Sequence, residues 1–416
     1  MSQANGLVTA GKLVLTDTFR NDDVFSRFRV STPQNVFNIS HRNSIEIQNS
    51  LDTVSTGSGS TVVDSDKSCS ILSTTSTGGR IVMQSFEYPE YIPGYSRLIY
   101  ITGCLNPGGV STNGMVARMG IFDDAADKTT GTDSGYGNGY FLQLSDGVVS
   151  IVERSSVTGN QVDTVISQSS WNIDTLDGAG NSGFTLDITK NVLFSVQIAW
   201  LGVGVVRLGF IVEGIFVVCH EFTHTANTTP YIQTAGLPVR WELSNISAGS
   251  LTYNFHAICA SIIDEGQPPK FNYRRHGGNA EVTRRVNSSD LPIVSIRVNT
   301  SNPRRSIRPI NISTIVDTND QLQWELRRNT TLTGASWNSV TNSFAEIDVS
   351  ATGVSGGIPV AGGYFKQELF ISLNPSTILP ASSQIDGTPI IYSLICNNSL
   401  GQGSSNVAGN IDWIEE

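Results

Sequence analysis

The chain has 416 residues, a formal net charge of −10 and 15% charged residues, against roughly a quarter in ordinary soluble domains. An acidic chain gains little from counterion release, so the composition argues against nucleic acid as the main partner. The longest apolar run, 201–218, is interrupted by Arg207 and Glu213 and is rich in Val and Gly, so we also expect no membrane span.

The N-terminal region is mostly polar. Its first residues, MSQANGLVTAGKL, have no apolar core flanked by basic residues, so we expect no signal peptide. Residues 1–24 are predicted to form an unstructured N-terminal arm. Residues 50–79 are rich in Ser, Thr and Gly and contain some β-formers, so they could be either a loop or edge strands.

Short runs of β-branched and aromatic residues, bounded by Gly, Asn, Asp and Pro, then recur along the chain, and no window shows convincing helical periodicity. This pattern predicts an all-β fold with a large sandwich of jelly-roll or lectin-like type over residues 25–265. The predicted strands are 97–102, 116–122, 140–144, 149–154, 163–167, 184–188, 193–200, 205–212, 215–221, 238–243 and 253–263.

The character of the sequence changes near residue 264. Residues 266–290 are polar and carry Gly, Pro and Arg-Arg pairs, which predicts an exposed linker. Residues 291–416 return to the strand pattern and predict a smaller C-terminal β-sandwich. Its predicted strands are 292–298, 307–316, 322–327, 344–349, 364–373, 390–396 and 409–413.

Residues 220–224, His-Glu-Phe-Thr-His, match the H-E-x-x-H signature of zinc peptidases. That chemistry needs a helix, because only there do both histidines lie on one face with the glutamate beside the metal. The preceding Ile-Phe-Val-Val-Cys favours a strand, in which His220 and His224 would lie about 13 Å apart and Glu221 would point to the opposite face. We therefore predict that this stretch is a strand with a structural role. Of the three functional hypotheses for the chain, a zinc hydrolase is the least favoured.

Other chemical signals are less specific. Gly-Val-Ser-Gly-Gly at 353–357 fits a nucleophile motif, but its surroundings favour a flexible loop. Two acidic clusters could hold calcium, although aspartate is also a common turn former. Their members are Asp123, Asp124, Asp127 and Asp133, and Asp174, Asp177 and Asp187. We assign no catalytic residue, no metal ligand and no cofactor.

Three arginine pairs are the candidate interface residues. Guanidinium groups pair bidentately with carboxylates, so on an acidic protein such pairs could contact another copy or an assembly neighbour. A solvated polar linker is the alternative interpretation. The pairs are Arg274 and Arg275, Arg284 and Arg285, and Arg304 and Arg305.

Several stretches together resemble a family of virion structural proteins of tailed bacteriophages, especially marine ones, with similar sequences in some large DNA viruses. The resemblance spans most of the chain from Phe25 onward. The stretches are FSRFRVSTPQNVFN (25–38), WNIDTLDGAGNSGFTLDITK (171–190), IAWLGVGVVRLGFIVEG (198–214), HEFTHTANTTPYIQTAGLPVRWEL (220–243), AICASIIDEG (257–266), LPIVSIR (291–297) and TLTGASWNSV (331–340).

The resemblance implies a non-enzymatic structural protein of the virion exterior, as a capsid decoration, head fibre or tail-associated component. Its expected partners are other virion proteins and further copies of itself, for which we predict a trimer. The alternative is a host-attachment adhesin that binds surface glycans. Tyr136, Tyr140 and Trp171 would then be candidate contacts for the sugar.

Overall fold

The computed structural model describes residues 6–9, 12–15, 31–125, 137–246, 251–266, 273–279, 283–374, 378–398 and 403–415. These residues form several antiparallel sheets and very little helix, so the all-β prediction is confirmed. Among them, no helix is both long enough and apolar enough to cross a bilayer.

The N-terminal arm contains a short hairpin. Strands β1 (Gly6–Thr9) and β2 (Lys12–Leu15) pair antiparallel with each other and with no other described strand. Val8, Thr9 and Val14 in these strands are β-branched, which favours extended backbone. The prediction of an unstructured arm is therefore wrong for these two segments.

The next fifteen strands build the N-terminal sandwich, together with helix α1 (Ser44–Ser50) and a 3₁₀ turn at Gln168–Ser170. The strands are β3 (Pro33–Ser40), β4 (Leu51–Thr56), β5 (Ser60–Asp64), β6 (Cys69–Thr74), β7 (Arg80–Ser85), β8 (Arg97–Cys104), β9 (Met115–Phe122), β10 (Gly139–Ser145), β11 (Val148–Ser155), β12 (Val162–Ser167), β13 (Val192–Ile198), β14 (Val205–Val212), β15 (Ile215–Thr223), β16 (Val239–Asn245) and β17 (Tyr253–Glu265).

These strands form two facing sheets. One has the order β12-β11-β10-β9-β16-β7-β4, and the other has the order β15-β14-β13-β8-β17-β6-β5 with β3 beside β17. Trp241 of β16 is fully buried between them, and its indole N–H donates to the Thr102 carbonyl of β8 at 3.4 Å. Alternate residues of each strand point into this shared core, as the period of two requires.

Residues 50–79 and 184–188 are two segments whose local structure the sequence left open or predicted as strand. Residues 50–79 contain β4, β5 and β6, so their β-formers do form strands. Residues 184–188 do not form a strand, because their backbone makes only an isolated bridge between Thr185 and Asp177. The glycine-rich stretch before them keeps the chain in turns.

Eleven strands build the C-terminal sandwich. They are β18 (Tyr273–Gly278), β19 (Arg284–Val286), β20 (Leu291–Val298), β21 (Ile307–Val316), β22 (Gln321–Thr333), β23 (Asn338–Ser339), β24 (Ala345–Asp348), β25 (Gly353–Lys366), β26 (Glu368–Ser372), β27 (Tyr392–Asn397) and β28 (Ser405–Glu415). Their pairing order is β18-β28-β21-β26-β25-β22-β27-β20-β24-β23, and β19 also pairs with β28.

The strand order is continuous, but the sheet folds into two layers at a corner between β25 and β26. Only one pair, Lys366 with Glu368, joins those strands, and Gln367 between them has a φ of +70°. The layers pack closely: a Cβ added to Gly409 of β28 would lie 2.8 Å from Ile293 of β20. Glycine at 409 therefore permits the close approach of the two layers.

Two predictions about loops are corrected by this sandwich. Within the predicted linker, β18 and β19 both hydrogen-bond to β28 and extend the C-terminal sheet. Their pairing partner lies more than a hundred residues away, so the polar local sequence conceals it. Residues 353–357 begin β25 and pair with β22, so they are not a loop.

The two sandwiches contact each other through buried groups. Phe86 belongs to the C-terminal core, and the Arg328 guanidinium lies 5.0 Å from the centre of its ring. Arg328 also donates to the Asn49 carbonyl at 3.2 Å, and Asp52 accepts the Ile385 amide at 2.7 Å. These contacts join the two sandwiches.

Candidate functional site

A cavity of about 440 Å³, here named the junction cleft, lies where the sandwiches meet. Both sandwiches contribute to its wall, and it combines aromatic rings with convergent polar groups, as ligand sites commonly do. Its lining is Tyr88, Glu90, Tyr91, Trp200, Gln233, Thr234, Ala235, Gly236, Arg304 and Arg305. A second cavity of about 600 Å³ adjoins it and shares Tyr88 and Glu90.

One wall of the cleft is aromatic and firmly held. The Trp200 indole N–H donates to the Ile232 carbonyl at 3.2 Å, and its ring meets Tyr91 edge to face at 6.0 Å. The Tyr91 hydroxyl donates to the Tyr95 carbonyl at 2.7 Å and accepts the Trp200 backbone N–H at 3.1 Å. Burial raises the pKa of Tyr91, so the ring stays neutral. Trp200 itself is half-buried and lines the cleft.

A single buried guanidinium holds both N-terminal loops of the cleft. Arg97 is 1% exposed and forms a bidentate pair with Asp264, at 2.6 and 2.8 Å. It also donates to the carbonyls of Pro89, Glu90 and Ala235, at 2.7, 2.6 and 3.2 Å. Because five donors in one rigid fork satisfy two separate loops, Arg97 fixes their spacing.

The C-terminal sandwich contributes two adjacent arginines. Arg304 Nε lies 2.9 Å from Asp123, a carboxylate that is 1% exposed. Arg305 is about half exposed, lies 3.9 Å from Glu90, and stacks 4.7 Å from the centre of the Phe344 ring. This pair therefore contacts the N-terminal sandwich of its own chain.

The other arginine pairs also make contacts within the chain. Arg275 donates to the Asn342 carbonyl at 2.8 Å, and Arg284 donates to the Val349 and Ala351 carbonyls. Arg285 donates to the Ser404 hydroxyl at 2.6 Å, whereas Arg274 has an exposed side chain. Their proposed role between copies remains a prediction.

The H-E-x-x-H stretch is extended, as predicted, because β15 continues through Thr223. Glu221 pairs across the sheet with Arg207 at 2.8 Å, while the His220 and His224 rings contact Phe222 between them. The phenyl ring separates the imidazoles, so the geometry of a zinc peptidase does not form. No described residues form a group of three or more potential metal ligands.

His224 instead joins a buried hydrogen-bond network. Its Nε2 lies 2.8 Å from Glu153, its Nδ1 lies 3.0 Å from the Gly204 carbonyl, and its ring stacks on Tyr231 at 3.7 Å. Burial lowers the pKa of His224, but the two hydrogen bonds outweigh it, so the pKa is raised above 6.5. Both ring nitrogens face acceptors, which favours the protonated ring.

We expect His224→Gln to lower the free energy of unfolding by about 1.5–3 kcal/mol at pH 5.5, because a charged hydrogen bond is lost. Because the folded-state pKa of His224 is raised, this stabilisation is complete below about pH 6.5, the ordinary pKa of the unfolded chain. It is lost as the pH rises through the folded-state pKa. The difference from wild type should therefore be smaller at pH 8.5. Urea denaturation at both pH values measures it, with the exposed His276→Gln as control; equal differences at the two pH values would contradict the assignment.

The acidic clusters are occupied by the protein's own donors. Asp124 lies 3.6 Å from both Arg80 and Arg154, while Asp174 accepts the amides of Leu176 and Ser182. Asp177 and Asp187 accept amides two residues ahead, as in Asx turns. Asp127 and Asp133 lie outside the described residues.

A buried charge network covers the outer face of the seven-stranded sheet. Glu242 is 2% exposed and lies 2.7 Å from Arg240, 3.1 Å from Arg80 and 3.4 Å from Arg118. Burial would raise the pKa of Glu242, but these arginines outweigh it and hold the pKa far below its usual 4.5. This ionised carboxylate links arginines of neighbouring strands and so stabilises the sheet. Because it holds no proton near neutral pH, it is unsuited to act as a general acid.

The predicted sugar-binding aromatics do not line the cleft. Tyr140 is fully buried and its hydroxyl donates to Glu153 at 2.6 Å; Trp171 is 5% exposed and donates to the Ile166 carbonyl. Tyr136 lies outside the described residues. Residues 86–95 are rich in Tyr and Pro and supply Tyr88 and Tyr91 to the cleft. This aromatic loop is the sequence feature that could have indicated the cleft.

No protein-family model matches this chain, and no curated protein matches it. Among solved structures, it is similar to an endo-β-1,4-glucuronan lyase from the fungus Trichoderma reesei (9% identity, TM-score 0.37, 55% of this chain and 95% of that one). It is also similar to a legume lectin-like domain from Entamoeba histolytica (9%, 0.33, 55% and 97%) and an endo-1,3-β-glucanase from Streptomyces sioyaensis (9%, 0.36, 58% and 99%). Likeness at this level carries no argument about what this chain binds.

Proposed function

We propose that this chain is a non-enzymatic saccharide-binding protein that recognises its ligand in the junction cleft. The observation that supports this most is the half-buried Trp200 beside Tyr91, in a cavity that Glu90 and Arg305 also line. A pyranose ring has an apolar C–H face and a rim of hydroxyls, so it needs an aromatic surface and paired donors and acceptors.

The non-enzymatic part of the proposal is supported by the lining of the cleft. Glu90 is the single carboxylate among the described residues that line it. Glycoside hydrolysis ordinarily uses two carboxyl groups on either side of the scissile bond. The cleft therefore offers binding groups without the usual hydrolytic pair.

We expect Trp200→Ala to reduce saccharide affinity at least about tenfold, because buried aromatic anchors carry most of the energy of a binding site. Screening the full-length chain on a glycan array would identify the ligand, and calorimetry would compare the variants. Phe370→Ala is the matched control, since Phe370 is 70% exposed and lies on the C-terminal sandwich away from the cleft. A chain that binds no glycan, or binds equally well without Trp200, contradicts the proposal.

We further propose that the chain is displayed on the exterior of a virion, as a capsid decoration, head fibre or tail-associated component. This part rests on the sequence resemblance to phage virion proteins. Its expected neighbours are other virion proteins and further copies of itself, with a trimer as the proposed assembly and Arg274 as an exposed interface candidate. Cryo-EM of intact particles would test it; density for the chain in the particle interior would oppose this location.

A further inference from the structure

The backbone turn that carries Trp200 into the junction cleft is held by a few hydrogen bonds. The Trp200 carbonyl accepts the Gly204 N–H at 2.9 Å and the Val203 N–H at 3.1 Å. Leu201, inside the turn, has a φ of +37°, which is unfavourable for a residue other than glycine. The conformation of the turn, and with it the position of Trp200, therefore depends on the contacts that the turn makes.

His224 contacts both parts of the chain that fix Trp200. Its Nδ1 lies 3.0 Å from the Gly204 carbonyl, which belongs to the turn. Its ring stacks on Tyr231 at 3.7 Å, and the next residue, Ile232, accepts the Trp200 indole N–H at 3.2 Å. One imidazole thus contacts the backbone turn of Trp200 and also the segment that holds its indole.

The contact between His224 and the turn depends on how many protons the ring carries. Glu153 Oε2 lies 2.8 Å from His224 Nε2 and also accepts the Tyr140 hydroxyl at 2.6 Å. A neutral imidazole has one N–H, and a carboxylate is a stronger acceptor than a carbonyl, so the neutral ring keeps its proton on Nε2. The Nδ1 lone pair then faces the Gly204 carbonyl oxygen, and the hydrogen bond to the turn is lost.

We propose that His224 is a positioning residue for the saccharide, because its protonated ring holds Trp200 in the orientation that binds the sugar; this inference rests on the proposed function. Protonation of a side chain that lies outside the cleft would then set the affinity of the cleft. Saccharide binding should be strongest in mild acid and weaken as His224 loses its proton.

The other titratable groups around the ring do not produce this dependence. Burial raises the pKa of both Tyr140 and Tyr231, so their hydroxyls stay protonated near neutral pH. Burial lowers the pKa of His220, which lies beyond Phe222 on the same strand, so it gains its proton only at lower pH. Glu153 is the acceptor itself, and the turn at 200–204 carries no titratable side chain. The pKa of His224 is raised above 6.5, so the loss of affinity should follow that pKa.

The wild-type chain tests this inference without any substitution. Calorimetry measures affinity from about pH 5.5 to about pH 9 for tetrasaccharides of glucose and galactose, which do not titrate in this range, and for the strongest ligand of the glycan array. We expect affinity to fall at least about fivefold, the lower end of a typical coupling between two sites. Its midpoint should match the titration of the His224 ring followed by NMR. Affinity that stays level or rises overturns the inference and leaves the proposed function standing, whereas failure to bind any glycan at any pH overturns both.

Two variants separate a positioning role from a merely structural one. His224→Gln carries no titratable group, so its affinity should stay level with pH, near that of wild type at about pH 9. His220→Gln is the matched control, because His220 is also buried on β15 but its Nδ1 accepts the Asn172 amide at 3.3 Å. It should keep the wild-type pH profile. Circular dichroism confirms that both variants fold, and a pH profile that persists in His224→Gln contradicts the positioning role.

Discussion

Replacing Arg97 with Met is expected to lower the free energy of unfolding by roughly 3–5 kcal/mol, the cost of leaving one partner of a buried ion pair alone. Asp264 is 3% exposed and would lose its guanidinium partner, and the Pro89, Glu90 and Ala235 carbonyls would lose their donor. Because the two freed loops line the cleft, saccharide binding should be lost as well.

Denaturation followed by tryptophan fluorescence measures this effect. The control is Arg207→Met, because Arg207 is also paired with a carboxylate at 2.8 Å but is 54% exposed, so it should cost less than about 1 kcal/mol. The double variant Arg97→Met with Asp264→Leu removes the lone charge and should regain part of the stability. It should not regain binding, since the three carbonyls still lack a donor. Equal losses for Arg97→Met and its control would contradict the role of Arg97 in holding the two loops.

Replacing Glu242 with Gln should also cost roughly 3–5 kcal/mol at pH 7, because Arg240 would remain fully buried with its closest carboxylate removed. The folded-state pKa of Glu242 is far below 4.5, so its stabilising effect is complete above about pH 4.5 and is lost as the pH falls. The difference between wild type and variant should therefore shrink on acidification.

Acid titration of both proteins in urea tests this dependence. Glu221→Gln is the control, because Glu221 pairs with the exposed Arg207 and should change stability by less than about 1 kcal/mol. A difference that stays constant from pH 7 to about pH 3 would show that the ionised state of Glu242 does not brace the sheet.

The strands themselves were the part of the fold best predicted from the sequence. Residues 205–212 and 307–316 coincide with β14 and β21, because alternating β-branched residues bounded by turn formers specify extended backbone locally. The extended conformation of the H-E-x-x-H stretch followed from the same reasoning. The strands at the edge of the C-terminal sheet were harder to predict. β18 and β19 are strands only because β28, far along the chain, pairs with them.

The candidate site could not be derived from the sequence for the same reason. Arg304 reaches Asp123 across 181 positions of the chain, and Arg97 reaches Asp264 across 167. Tyr140 was wrongly predicted as an exposed sugar contact. Its strand is buried on both faces, with Phe141 packed on the outer side. The sequence pattern of such a strand does not distinguish an exposed aromatic residue from a buried one. The sequence shows the arginine pair 304–305, but its contact with the chain's own N-terminal sandwich follows only from the fold.

The most direct test of the account is a crystal structure of the full-length chain with the tetrasaccharide that binds best. We expect the sugar ring on Trp200, within the junction cleft. A saccharide bound instead to the outer face of either sandwich, with the junction cleft occupied only by water, would contradict it.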